Sequence, residues 1–79
     1  MPVFHLNVFN NVHATDLEGI DRPDLDAAKV NAIAGARALV ADHIRNGTTI
    51  YQSHRIEITD GAGLLLHTVR FGDIVDLQP

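Results

Sequence analysis

The chain has no cysteine and no tryptophan, and its one lysine is Lys29. Without cysteine it cannot form a disulfide, a thiolate nucleophile or a cysteine-based zinc site. No apolar run comes near the roughly 20 residues that a bilayer-spanning helix needs. The start of the chain lacks a basic region followed by an apolar run and a small-residue cleavage site, so it does not read as a signal peptide. Positive charge is sparse and scattered: Arg22, Arg37, Arg45, Arg55 and Arg70 stand singly, and the formal net charge is −4. Nucleic-acid binders gather basic residues onto one face or stripe, and no such run is present. These absences lead to an expectation of a soluble, cytoplasmic protein with no membrane contact and no strong claim to nucleic acid.

What is present is enough apolar material for one small globular unit. Of 79 residues, 46% are hydrophobic, which is too many for a disordered tail. The whole chain, 1–79, reads as a single domain. A core of this size is marginal without a disulfide, a metal or self-association. With disulfides excluded, oligomerisation is the natural supplement.

The order of hydrophobic periods predicts an α+β fold, ββαββ, with an antiparallel sheet and one long helix packed on one face. From Val3 to Phe9, Phe4, Leu6 and Val8 alternate with His5, Asn7 and Phe9. Asn10-Asn11 suits a turn, because Asn tolerates left-handed backbone and can bond its own chain. Val12 to Thr15 reads as a short second strand. Asp16 to Asp24, acidic and containing Gly19 and Pro23, reads as a crossover. Asp24 then suits an N-cap, with Asp26 at the positive end of the helix dipole. On a 3.6-residue wheel Leu25, Ala28, Ala32, Ile33, Ala36, Leu39, Val40 and Ile44 share one face. Asn46-Gly47 supplies the stop. Ala27, Val30, Ala34, Ala38 and Ala41 flank polar residues on the back of the helix.

A third strand is predicted over Gln52 to Thr59, with His54, Ile56 and Ile58 on one side. Asp60-Gly61-Ala62-Gly63 is a hairpin turn. Leu64 to Val69 follows, with Leu64, Leu66 and Thr68 expected to face the helix and Leu65, His67 and Val69 the far side. Phe71 to Leu77 reads as a short helical turn or edge segment folding back on the core. The expected core is Phe4, Leu6, Val8, Ile33, Ala36, Val40, Ile56, Ile58 and Leu66.

Several of these residues, in order, carry a likeness. Met1-Pro2 with Phe4, His5 and Val8 is followed by Glu18-Gly19, Pro23-Asp24-Leu25 and Ala27-Ala28. Ile56-Glu57-Ile58-Thr59-Asp60, Gly63 and Phe71 complete it. The chain resembles a family of small bacterial proteins of about this length, common in alphaproteobacteria and classed as a domain of unknown function. The resemblance implies a fold and a size; it brings no activity, cofactor or site residue with it.

The residues themselves offer little chemistry. Five histidines lack any close metal-ligand spacing. Strand parity puts His5 and His67 on the same sheet face, which makes them the candidate metal ligands. No metal or other cofactor is assigned. His43 reads as a core-edge imidazole bonded to a carbonyl. The acidic run Asp16, Glu18, Asp21, Asp24 and Asp26 lacks the 12-residue calcium-loop pattern. Ser53 and His54 are adjacent in a strand and so point apart, which makes a poor nucleophile–base pair. No catalytic residue is assigned.

The leading expectation is a small non-enzymatic binding or regulatory module that forms a homo-oligomer. Its interface would use Phe9, Leu65, His67 and Val69 on the open sheet face, or alternatively the helix back. An unidentified protein partner is a further possibility. The alternatives are a metal-dependent or enzymatic site built from histidines at a subunit interface, and nucleic-acid binding through the scattered arginines.

Overall fold

The computed structural model describes residues 2–76 and Gln78, and the readings of Met1 and Leu77 lie outside these described residues. The alternation at the start of the chain forms strand β1, Val3–Phe9. Two short segments pair antiparallel along its outer edge. Strand β2, His13–Ala14, lies against Val8 and Phe9, within the stretch predicted as a second strand. Strand β3, Ile20–Asp21, lies against Val3 and Phe4. The sequence reading took β3 for plain crossover, because two residues are too few to display a period. Between β1 and β2 the Asn10 side chain accepts the Val12 amide at 3.1 Å, as the turn requires.

The long helix α1 spans Leu25–Asn46. Asp24 caps it, its carboxylate accepting the Ala27 amide at 2.9 Å. Gly47 closes it in left-handed backbone, φ 67°. The Gly47 and Thr48 amides then satisfy the Ile44 and His43 carbonyls. The helix buries Ala28, Ala32, Ala36, Val40 and His43. Three alanines in a row of four-residue steps let the helix backbone lie close to the sheet. Ile44, expected on this face, is 71% exposed. At about 100° per residue it is turned off the stripe on which its neighbour His43 sits.

Strand β4, Arg55–Thr59, pairs with β1, and strand β5, Leu65–Arg70, pairs with β4, both antiparallel. The sheet order is β2-β1-β4-β5, with β3 also on β1. Thus the predicted α+β arrangement, in roughly ββαββ order with one helix on an antiparallel sheet, is the fold observed. The third strand starts later than Gln52, because the His54 amide bonds the Tyr51 carbonyl in a tight turn first. In the β4–β5 hairpin, Asp60 accepts the Ala62 and Leu64 amides, each at 2.9 Å. Gly63 supplies the positive φ of 88°.

The parity of β5 differs from expectation. Thr59 pairs with Leu65, but Ile58 pairs with His67 and Ile56 with Val69, so the register shifts at Leu66. An extra residue in one strand flips every later side chain to the other face. Val69 is therefore in the core beside Ile56, and His67 sits on the side of Ile58, while Thr68 turns outward.

The buried core comprises Phe4, Ala28, Ala32, Ala36, Val40, Ile56, Ile58, Val69 and Phe71, with Leu6, Val8, Ile33 and Leu66 packed around it. The expected core is thus present, extended by the alanine row, by Val69 and by Phe71. Phe71 opens a 3-10 turn, Phe71–Ile74, that folds the tail back as expected. Among the described residues no helix is long and apolar enough to cross a membrane.

Candidate functional site

Directly paired residues of adjacent strands point to the same face. The face turned away from α1 therefore carries His5, Asn7 and Phe9 from β1, Arg55, Glu57 and Thr59 from β4, and Leu65, Thr68 and Arg70 from β5. Two of the four expected interface residues, Phe9 and Leu65, are on it. Val69 and His67 are not, for the reason of register given above.

At one end of this face the ring of Phe9 is flanked by its two cross-strand partners. His13 from β2 stacks on it with ring centres 4.1 Å apart. The guanidinium of Arg55 from β4 lies 4.3 Å from the ring centre. Arg55 also bonds Glu57 at 2.8 Å, which balances its charge. Its other direct partner is Arg70, a like charge that the Glu57 carboxylate helps β5 to tolerate.

The other end carries Leu65 beside Thr59 and is otherwise polar. His5 donates from Nδ1 to the Asp16 carbonyl at 2.8 Å. Asn7 accepts the Asp16 amide at 2.9 Å and donates to Thr59 at 3.4 Å. The Asp16 carboxylate accepts the Leu6 amide at 3.1 Å and the Gly19 amide at 2.9 Å. Burial by itself would raise the Asp16 carboxyl. The amides of Gly19, Leu6 and Glu18, together with nearby His5, outweigh that and hold it below its ordinary 3.8. Gly19 sits at φ 77°, where a Cβ would lie 2.5 Å from Val3 Cγ1. His5, Asn7, Asp16 and Thr59, with Thr15, Asp60, Gly61 and Gly63, line an open cleft of about 280 Å³.

The oxygens of Asp16 are thus committed to backbone amides. The residue clasps the loop before β3 onto β1, and it is poorly placed to act as a base or metal ligand. Sequence reasoning placed Asp16 in a solvated acidic run and missed this clasp. Its signal was the spacing to Gly19, which allows an Asp side chain to close a short turn on a residue with positive φ.

The two candidate metal ligands are separated. His5 pairs with Thr59 on the open face, whereas His67 pairs with Ile58 on the helix side. Among the described residues no three His, Asp or Glu side chains come together as a metal-holding group. Ser53 is exposed while His54 is buried, so these neighbours do point apart.

Two other histidines meet instead. His43, from the last turn of α1, and His54, just before β4, are both about 95% buried, at 5% and 4% exposure, with ring centres 5.3 Å apart. Phe71 lies edge-on to both, and Tyr51 edge-on to His54. His43 Nδ1 bonds the Thr48 hydroxyl at 2.8 Å, where the sequence reading expected a carbonyl partner. His54 Nδ1 accepts the Tyr51 amide at 3.4 Å. Burial, and secondarily the neighbouring His43, push His54 below its ordinary 6.5. Each histidine was legible singly, His43 on the helix stripe and His54 in phase with Ile56 and Ile58. Their meeting depends on how α1 crosses the sheet, which one sequence does not encode locally.

The chain therefore combines an open, mixed sheet face, a clasped polar loop and a buried imidazole pair. No curated protein and no solved structure matches it. A family model described as a domain of unknown function, DUF6894, matches residues 3–72, and the protein belongs to that family.

Proposed function

We propose that the protein is a small, soluble, cytoplasmic and non-enzymatic binding module that pairs with a second copy of itself through the open face of its sheet. The observation that carries this reading is the surface left over after the single helix is packed. A compact monomer of 8.6 kDa exposes about 4,700 Å² by the usual scaling with mass. This chain exposes 5284 Å². Its radius of gyration, 12.8 Å, also exceeds the roughly 11.6 Å of a compact chain of its length. One sheet face carries no helix, and a second sheet laid on that face is a standard way to cover it. Phe9 and Leu65 are the apolar anchors there, and His13, Arg55, Thr68 and Arg70 form polar surroundings.

The helix back is the competing surface. Val30 is 68% exposed, and Ala34, Ala38 and Ala41 are exposed beside it. A dilution series followed by amide NMR separates the two. The proposal predicts concentration-dependent shifts at Phe9, Arg55, Leu65 and Thr68, with Val30 to Ala41 unmoved. Shifts confined to the helix back would move the interface there, and no shifts at all would remove self-association.

A further inference from the structure

We propose that His54 is an acid-operated latch: protonation of its ring frees the segment 51–54 from the ring of His43 and from the C-terminal turn, while Thr48 stays bonded to the helix end. The argument rests on which partners the ring has. Nδ1 of His54 faces the Tyr51 amide, a group that can only donate. The neutral ring satisfies it by keeping its proton on Nε2 and offering a lone pair at Nδ1. The protonated ring carries hydrogens on both nitrogens, so a donor then faces a donor and that contact is lost. The other imidazole has no such conflict. Its partner, the Thr48 hydroxyl, either donates or accepts, so His43 keeps the bond in both charge states.

The surroundings give a charged His54 nothing in return. His43 from α1 and Tyr51 from the loop are the titratable groups against it, and the C-terminal turn offers the apolar ring of Phe71. The charges on the neighbouring elements are engaged or directed elsewhere. Asp42 and Arg45 bond each other at 2.7 Å on the exposed side of the helix end. Arg55 is tied to Glu57 on the far face of the sheet. Arg70 and Asp73 line a surface cleft with Gln52. Among the described residues neither buried imidazole takes part in an ion pair. Burial and the proximity of His43 act in the same direction, against the charged ring.

His54 is also where three segments are joined. Its amide bonds the Tyr51 carbonyl at 3.0 Å, and its carbonyl accepts the Phe71 amide at 3.0 Å. Expelling the ring therefore loosens the loop and uncovers Phe71, which is otherwise fully buried.

Amide hydrogen exchange read by NMR, with the imidazole titration recorded alongside, tests the latch. In the intact protein the opening of the Tyr51, His54 and Phe71 amides should grow by up to about tenfold per pH unit as His54 is driven to protonate, after correction for intrinsic exchange. The Ile56 and Ile58 amides should stay protected over that range. In His54→Asn, whose side-chain oxygen can still accept the Tyr51 amide and does not titrate, the pH dependence should vanish. If that variant does not fold, His43→Gln serves: the release should persist and move to higher pH. Opening of the three amides that is independent of pH, or that occurs only together with Ile56 and Ile58, would overturn the proposal.

Discussion

The carboxylate of Asp16 and the backbone amide of Leu6 meet at 3.1 Å, joining a loop to a strand edge that neither β2 nor β3 covers. The same carboxylate takes the Gly19 amide, so one side chain fixes both the entry to β3 and the spacing of the loop. Asp16→Asn keeps the shape, removes the charge and turns one of the two acceptor oxygens into a donor that faces a backbone amide. A loss of about 0.5–1.5 kcal/mol is expected in urea denaturation, the net range for a hydrogen bond that is only partly buried. The low carboxyl pKa has a consequence of defined sign. Stability contributed by ionised Asp16 is present above its ordinary 3.8 and is lost as the pH falls through the lower folded value.

Two glycines should respond to alanine in opposite directions. At Gly19 the backbone is left-handed and the new methyl would meet Val3 at 2.5 Å. Gly19→Ala should therefore destabilise by more than about 1 kcal/mol. At Gly35, within α1, a Cβ would meet Ile56 Cδ1 at 3.5 Å, an ordinary contact. Gly35→Ala should stabilise by about 0.4–1 kcal/mol through helix propensity and a less flexible unfolded chain. Thermal melts of the two variants read both signs.

Ile56 and Ile44 provide a matched test of the core. Ile56 is 2% exposed and Ile44 is 71% exposed. Ile56→Ala should cost about 2–5 kcal/mol. Ile44→Ala should change stability by less than about 0.5 kcal/mol, as surface substitutions do. Equal costs would mean that the helix sits rotated from its described position.

His54 gives global stability a pH dependence of defined sign near neutrality. Its folded pKa lies below 6.5, so on acidification the unfolded chain takes up this proton first. Stability is then lost as the pH falls below that ordinary value. Urea midpoints at about pH 7.5 and about pH 5.5 should differ in the wild type and differ by less in His54→Asn. Asp16 titrates too low to contribute in this window.

Much of the fold was legible because its signals are local. Asp24, the alanine row and Gly47 mark a helix by capping and period, and Asp60 to Gly63 marks a hairpin by turn chemistry. What escaped was non-local. The extra residue at Leu66 leaves no mark in an unbroken run of three leucines, yet it moves Val69 from the open face into the core. Phe71 gave a tail that folds back, but nothing indicated that it would be fully buried beneath two imidazoles. The site was read less completely than the fold. Phe9 and Leu65 followed from parity that holds, whereas His67 and Val69 followed from parity that the register shift breaks.

Pairing through the open sheet face is the central claim, and mass measurement with matched variants tests it most directly. Light scattering coupled to size separation should report a multiple of 8.6 kDa for the wild type at tens of micromolar. Leu65 is 50% exposed on the open face, and Ala34 is exposed on the helix back. Leu65→Glu should reduce the mass to that of the monomer, because a carboxylate buried between two sheets is costly. Ala34→Glu should leave the assembly intact. A wild-type mass of 8.6 kDa throughout this range, or an assembly dissociated by Ala34→Glu and not by Leu65→Glu, would contradict the account.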